Sequence, residues 1–262
     1  MDKTSNPSAP PQPVFAVQRA AERATFNHGW LVTSHSFSFA EYFDPRNVNW
    51  GALRVFNDDR VAGGEGFPTH PHRDMEILTY VLDGELEHRD SMGNHGVVKP
   101  GGVQYMSAGT GVRHSEFNHS KTDELHFLQM WVLPGRLGGA PAYGQVDFDV
   151  EERRNKWLTI ASGGDEDAPV ALTQDATLLV SRIEGIDLRH TFEPGRLGFL
   201  FVADGGADVA AFDERDTQIA TGHLSVGDAV RIGGITRLHI GGAAEVVLWD
   251  LPQMTKERLP HS

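Results

Sequence analysis

Short apolar segments separated by turns run the whole length of this chain. Segments such as LRVFNDD, MEILTYVLDG and ELHFLQMWVL have the length and the β-branched and aromatic content of strands. The separators, among them DSMGN, KPGG and SAGTG, hold residues that tolerate tight or left-handed turns. No long helical pattern stands out, and FAVQRAAERATF is compatible with one helical turn or with a strand. The spacing predicts an all-β sandwich or barrel fold.

The pattern of strands and turns restarts after residue 150. The stretches VVKPGGVQYMSAG and LSVGDAVRIGG occupy comparable positions in the two halves, and each is typical of a β-hairpin with a glycine-containing turn. This similarity indicates a distant internal duplication. We therefore expect two tandem β-barrels, residues 14–150 and 151–262, joined around residues 138–155. Residues 1–13, MDKTSNPSAPPQP, are rich in proline and serine and are expected to form a flexible leader.

The composition excludes several classes of function. Lys plus Arg number 23 against 36 for Asp plus Glu, a formal net charge of −13, which argues against direct binding of nucleic acid or an anionic membrane. The chain has no cysteine, so disulfides, thiolate catalysis and cysteine-ligated zinc or iron–sulfur sites are excluded. No apolar run approaches the roughly 18 residues of a membrane span, and the N-terminus lacks a signal-peptide core. We expect a cytoplasmic protein.

Two pairs of metal-ligand residue types occur in the first half. His70 and His72 lie two positions apart in GFPTHPHRD, and His114 and Glu116 do so in AGTGVRHSEFN. Side chains at i and i+2 point to the same side of an extended strand. Three imidazoles and one carboxylate would leave exchangeable positions on a six-coordinate ion, as a catalytic metal requires. Glu76 follows the first pair, and spacing alone does not decide between the two carboxylates.

The remaining histidines considered lack such pairing. In the second half they are isolated, with no His-x-His and no His-x3-Asn, so we expect no metal site there. His126 is the one expected beside the barrel interior. The histidines expected to be structural or exposed are His35, His88, His95, His119, His126, His190, His223 and His239.

These residues resemble the motifs of the cupins. The first cupin motif, G-x5-H-x-H-x3,4-E-x6-G, is met by Gly64, His70, His72 and Glu76, with Gly84 one residue late. The end of the second motif, G-x2-H-x3-N, is met by Gly111, His114 and Asn118, with Gly109 in place of the usual proline. The stretches HPHRDMEILTYVLDGELEHRDSMG, KPGGVQYMSAGTGVRHSEFN and LHFLQMWVLP resemble the bacterial pirins assigned quercetin 2,3-dioxygenase activity. The resemblance covers roughly residues 28–250.

The resemblance implies two tandem cupin barrels, a metal-binding one and a degenerate one. It implies one divalent metal per chain, usually iron, held by His70, His72, His114 and Glu116. The donor set also accepts Ni, Mn, Co, Cu or Zn. Glu76 is not a ligand in pirins, and we expect it beside the ligands.

The function implied is a dioxygenase that opens flavonols such as quercetin and releases carbon monoxide. We expect Glu116 to be the catalytic base that takes the proton of the flavonol 3-hydroxyl, because it is the only carboxylate of the implied ligand set. Several apolar residues could line a substrate wall, although for any one of them a place in the barrel core is the stronger expectation. They are Phe67, Met75, Leu78, Tyr105, Met106, Phe117 and Trp131. One alternative is a redox-responsive regulator that binds a protein partner, as eukaryotic pirins do. Another is a cupin of a different catalytic type, such as an isomerase.

Overall fold

The computed structural model describes residues 13–254 and is built almost entirely of strands. The strands of the first half are β1 (Val14–Gln18), β2 (Ala24–Asn27), β3 (Leu31–His35), β4 (Leu53–Val61), β5 (Gly66–His72), β6 (Glu76–Asp83), β7 (Leu86–Asp90), β8 (His95–Val98), β9 (Val103–Ser107), β10 (Val112–Asn118), β11 (Leu125–Val132) and β12 (Ala142–Val146). A single helical turn, α1 (Val150–Arg153), precedes the second half.

The second half continues the pattern of strands without a further α-helix in the part of the chain that the structure describes. Its strands are β13 (Leu158–Ser162), β14 (Val170–Ala171), β15 (Thr177–Glu184), β16 (Leu188–Thr191), β17 (Leu197–Phe212), β18 (Gln218–Ser225), β19 (Ala229–Gly233) and β20 (Arg237–Leu251). No helix between residues 13 and 254 is long and apolar enough to cross a bilayer.

Each half is organised as a cupin barrel. In the first, a seven-stranded sheet of order β12-β9-β6-β11-β4-β3-β2 faces a four-stranded sheet of order β5-β10-β7-β8. The second contains one nine-stranded sheet of order β1-β19-β17-β20-β15-β13-β14, in which β16 also pairs with β20 and β18 with β17. Its two longest strands are the 16-residue β17 and the 15-residue β20. The predicted all-β fold of two tandem cupin barrels is confirmed.

The two halves share a hydrophobic core. Side chains along β6, β9 and β11 alternate in direction, so one set points into the first barrel and the other points outward. The outward set includes Leu78 and Met130, which belong to the same buried cluster as Phe199, Phe201 and Trp249 of the second half. The outer face of the first barrel is therefore covered by the sheet of the second.

The first strand belongs to the sheet of the second half. β1 pairs with β19 from Val14 opposite Gly233 to Gln18 opposite Ala229. A 3-10 turn (Ala20–Glu22) then leads into β2, which pairs with β3 of the first barrel. The ambiguous segment FAVQRAAERATF thus holds strand, turn and strand. The first barrel was expected to begin at residue 14, but the strand that begins there pairs with the sheet of the second half. The expected leader, residues 1–13, lies outside the described residues except for the exposed Pro13.

Two equivalent glycine turns relate the halves. Gly101 and Gly227 have positive φ angles of 83° and 82°, and their N–H groups donate to the carbonyls of Val81 and Val202 at 2.8 and 2.9 Å. The expected hairpins are nevertheless wrong, because the strands flanking each turn do not pair with each other. β8 pairs with β7 while β9 pairs with β6 and β12, and β18 and β19 pair with opposite ends of β17. Each turn therefore connects two strands that pair with other strands. The matching geometry of the two turns supports the duplication.

Candidate metal centre

Strands β5 and β10 bring the three predicted histidine ligands together. The antiparallel register places His114 opposite His70, and Val112 opposite His72. The Nε2 atoms of His70 and His114 are 2.9 Å apart, and the three imidazole rings lie within 4.8 Å of one another, centroid to centroid. His114 is buried, while His70 and His72 are partly exposed, so the cluster opens towards solvent.

The electrostatics of this cluster favour neutral imidazoles. Burial, followed by the neighbouring imidazoles, lowers the pKa of His72 to about 4 and that of His114 to about 3. The Nδ1 atom of His70 lies 2.8 Å from the carbonyl oxygen of Pro68, which only accepts, so Nδ1 carries the proton and Nε2 a lone pair. Neutral rings with converging nitrogens are what a divalent metal requires, and the three histidines fit such an ion.

Glu116 lies on the other side of His114. It is 1% exposed, and the register of β10 shifts between His114 and Glu116. Two groups of possible metal donors have their donor atoms within 4.8 Å of one another. One comprises a carboxylate oxygen of Glu116 with His88 and His114, and the other comprises His70, His72 and His114. Three of the four predicted ligands therefore converge directly, and Glu116 is joined to them through His114, the residue common to both groups.

Two glutamines fix the carboxylate of Glu116. Gln104 Nε2 donates to Oε1 at 2.6 Å and Gln129 Nε2 donates to Oε2 at 2.9 Å, with a weaker contact from Thr79 Oγ1 at 3.4 Å. These side chains point into the barrel from β9, β11 and β6. On β6 and β11 they lie between two apolar clusters, one around Leu125 and Phe127 and one around Ile77 and Met106, and on β9 Gln104 lies next to Met106. The interior of the first barrel is thus divided by a polar layer that holds the candidate site.

His88 is the residue of the site that sequence reasoning missed. It is fully buried on β7, directly opposite Glu116 on β10. Its ring stacks on that of Tyr143 at 4.3 Å, and its Nε2 lies 3.3 Å from Asp90 Oδ2. The sequence does indicate that His88 is buried, because Leu86, His88 and Asp90 alternate along the strand and the histidine therefore lies on the same side as a core leucine.

Glu76 does not join either donor group. It is fully buried, but it shares the outward face of Leu78. Its carboxylate accepts hydrogen bonds from the Tyr105 hydroxyl at 3.1 Å and from the backbone N–H groups of Thr173 and Gln174 at 2.7 and 3.2 Å. The expected place beside the ligands is therefore wrong, because Glu76 faces the second half of the chain.

The apolar residues considered for a substrate wall are divided between the candidate site and the hydrophobic core. Trp131 meets His72 edge to face at 4.8 Å and packs, with Met75, on a cluster that contains Met106. Leu78 and Tyr105 belong instead to the core between the halves. Phe67 packs with Trp30 in a different cluster, and Phe117 is 37% exposed.

The other histidines mostly pair with carboxylates away from the centre. His126 Nε2 lies 2.7 Å from Asp58 Oδ1. In the second half, His190, His223 and His239 pair with Asp250, Asp208 and Asp187. Between residues 13 and 254, both groups of three donor residues lie in the first barrel. The interior of the second barrel is filled by an aliphatic cluster that includes Val202, Val246 and Leu248.

Family models and known proteins match almost the whole described chain. The model described as Pirin matches residues 15–132, and the quercetinase C-terminal cupin domain matches residues 159–251. A pirin-like protein of Caulobacter vibrioides is 45% identical over 185 residues, which is 70% of this chain and 79% of the relative. A quercetin 2,3-dioxygenase of Escherichia coli K12 is 39% identical over 237 residues, 90% of this chain and 98% of the relative.

The fold also matches a metal-bound crystal structure. The bacterial pirin YhhW of Escherichia coli, in complex with nickel(II), superposes with a TM-score of 0.82 at 37% identity, covering 92% of this chain and all of that one. Both barrels, the convergent histidines and the full-length similarity lead to one assignment. The chain belongs to the pirin family of the cupin superfamily.

Proposed function

We propose that this protein is a metal-dependent dioxygenase that opens flavonols such as quercetin and releases carbon monoxide. The observation that carries the proposal is the convergence of His70, His72 and His114, with lowered pKa values for His72 and His114, at a partly exposed opening beside Trp131. Relatives of similar length carry the name quercetin 2,3-dioxygenase, which supports this substrate class.

One divalent ion would be held by His70, His72, His114 and Glu116. Iron is the metal expected from the resemblance, and a nickel complex of a relative supports a site that accepts other divalent ions. When bound, such an ion lowers the pKa of a coordinated hydroxyl group and raises the reactivity of the flavonol towards dioxygen. His114 and Glu116 are buried, whereas His70 and His72 face the opening through which a substrate can enter.

The residues of the chain supply the remaining functions. Glu116 accepts the proton of the flavonol 3-hydroxyl, and Gln104 and Gln129 hold its carboxylate in place for that transfer. Trp131 and Met75 offer an apolar surface on which the flavonol rings pack. In the overall reaction both atoms of dioxygen enter the opened product, and one ring carbon leaves with its oxygen as carbon monoxide.

Oxygen uptake with a panel of flavonols tests the proposal. The full chain is loaded in turn with Fe, Ni or Mn, and oxygen consumption, loss of flavonol and carbon monoxide are measured together. We expect equal amounts of all three, none with metal-free protein, and a large loss with His72→Ala. A metal-loaded wild-type protein that consumes no oxygen with any flavonol would rule the dioxygenase out.

A further inference from the structure

Two buried imidazole nitrogens near the candidate metal centre have no hydrogen-bond partner among residues 13–254. They are the Nδ1 atoms of His88 and His114. The two rings lie 5.4 Å apart, centroid to centroid, inside the same donor group. A buried polar atom without a partner destabilises the folded state, so a native structure that keeps two of them in neighbouring rings calls for a physical reason.

The chemistry of His88 makes its Nδ1 an acceptor. Its Nε2 lies 3.3 Å from Asp90 Oδ2, and an ionised carboxylate only accepts, so Nε2 carries the proton of the neutral ring. Asp90 is itself anchored, because its oxygens accept hydrogen bonds from the N–H groups of Met92 and Asn94 and from the Asn94 amide. With the proton on Nε2 and the ring stacked on Tyr143, the Nδ1 lone pair has a fixed direction.

The chemistry of His114 makes its Nδ1 a donor. Its Nε2 faces His70 Nε2 at 2.9 Å and is therefore the nitrogen directed at the proposed ion. The proton of a neutral, metal-bound ring then lies on Nδ1. A metal-binding histidine almost always donates this outer N–H to a carboxylate, a carbonyl or water, as His70 does to Pro68. The Nδ1 of His114 is buried and has no such acceptor among residues 13–254.

We propose that His88 is the positioning residue of His114. Its Nδ1 accepts the Nδ1 hydrogen of His114, so Asp90, His88 and His114 form a continuous series of hydrogen bonds that fixes the ring of the metal ligand. The ring centroids, 5.4 Å apart, leave about the separation that two imidazoles joined nitrogen to nitrogen require, so a rotation of the rings closes this bond. The inference rests on the proposed metal site, and it gives the buried His88 a role that does not require it to bind the ion.

Two substitutions of His88 separate the functions of its two nitrogens. In His88→Asn the amide occupies the place of Nδ1 and can accept from His114, whereas in His88→Gln the amide reaches towards Asp90 and not His114. Affinity for Co²⁺ is measured by competition with a chelator, on full-length protein shown to be folded by circular dichroism. Loss of such an outer partner typically lowers metal affinity about 10–100-fold. We expect this loss in His88→Gln and recovery of most of the affinity in His88→Asn.

The visible spectrum of the cobalt-saturated protein gives a second measurement. Because His88 is not a ligand, both variants should retain the band intensity of the wild type once saturated. His190→Gln, which removes a partly buried histidine paired with Asp250 in the second half, is the matched control and should bind cobalt as the wild type does. Equal losses in both His88 variants, unchanged affinity in both, or altered saturated spectra would overturn the proposal.

A measurement on the wild type covers the case in which a variant does not fold. In zinc-loaded protein with ¹⁵N-labelled histidine, a shared proton between the two Nδ1 atoms gives a downfield resonance coupled to both nitrogens, and its absence counts against the proposal. Different results would contradict the metal site and the role of His88. Wild-type protein that binds no metal, or His114→Ala that binds normally, contradicts the metal site itself. Metal binding that is lost in His114→Ala but insensitive to His88 contradicts only this inference.

Discussion

The carboxylate of Glu76 accepts a hydrogen bond from the backbone N–H of Thr173 at 2.7 Å, although the two residues are 97 positions apart. The N–H of Gln174 and the hydroxyl of Tyr105 donate to the same carboxylate. Each bond crosses or flanks the contact between the two barrels. A residue that the cupin motif places beside the metal thus stabilises the association of the halves.

Glu76→Gln should weaken this association without altering the metal site. An amide has one acceptor oxygen, and its NH₂ group would face a backbone N–H that then lacks a partner, which costs about 1–3 kcal/mol. We expect the free energy of unfolding in urea to fall by that amount while bound metal stays the same. The matched control is Glu65→Gln, an exposed glutamate of the same barrel, which should change neither quantity. A drop in metal content with unchanged stability would place Glu76 in the centre instead.

The N-terminal strand offers a second test of how the halves are joined. Because β1 pairs with β19, a truncation that removes residues 1–18 exposes an edge strand and the apolar surface that Phe15 and Val17 cover. It should lower the melting temperature and promote self-association in size-exclusion chromatography. A truncation of residues 1–13 spares β1 and should leave both unchanged. Equal behaviour of the two proteins would contradict the pairing as a source of stability.

Asp59 should make the metal-free protein less stable as the pH rises. Burial, opposed by a hydrogen bond from Thr33 and reinforced by the charges of Asp58 and Glu116, raises the pKa of Asp59 to about 7. The folded protein therefore keeps this proton up to about pH 7, whereas the unfolded chain releases it near pH 3.8. The stabilisation is complete below the unfolded pKa and is lost as the pH rises through the folded one.

Asp59→Asn removes this titration and serves as the comparison. The variant should gain stability over the wild type progressively between about pH 4 and pH 7, by up to about 4 kcal/mol. Urea unfolding of both metal-free proteins at several pH values measures the difference. A difference that stays constant with pH would show that the carboxyl group of Asp59 titrates normally.

The histidine cluster was the most predictable part of the candidate site because part of its signal is local. Residues at i and i+2 of a strand share a side whatever the rest of the fold does, so the convergence of His70 and His72 follows from spacing alone. That β5 pairs with β10, and so adds His114, is a long-range fact that spacing does not contain. The cupin resemblance supplied it.

The orientation of Glu76 and the position of His88 beside Glu116 did not follow from the sequence, for different physical reasons. The strand that begins at Glu76 is buried on both faces, so its hydrophobic pattern does not indicate which side meets the barrel interior. His88 stands alone in its segment, and only the pairing of β7 with β10 brings it beside Glu116. Likewise, the hydrogen-bonding partner of β1 lies more than 200 residues away, and the sequence of this strand carries no mark of it.

Metal content should reflect the difference between the two barrels. The first offers convergent histidines, and the interior of the second is aliphatic around Val202 and Leu248. We expect one equivalent of metal per chain, and loss of most of it in His72→Ala with the fold retained, because the hydrophobic clusters form without the ion. Elemental analysis and circular dichroism measure the two effects. Two equivalents, or an ion retained in His72→Ala, would contradict the assignment.

Glu116→Gln should separate metal binding from proton transfer. The substitution keeps the size of the side chain and one oxygen donor, so metal binding should weaken but persist. It removes the proposed base, and general-base catalysis typically contributes about 10²–10⁴-fold, so flavonol turnover per bound metal should fall by a factor in that range. Raising the pH, which supplies flavonol already deprotonated, should restore part of the rate. Oxygen uptake normalised to metal content measures both effects.

Glu76→Gln is the matched control for that experiment, because it makes the same chemical change at another buried carboxylate of the same barrel. Assayed well below its melting temperature, it should turn over flavonol as the wild type does. If Glu116→Gln retains its metal and turns over normally while the wild type is active, the proton is accepted elsewhere. The hydrogen bonds from Gln104 and Gln129 would then serve only to orient Glu116 as a ligand.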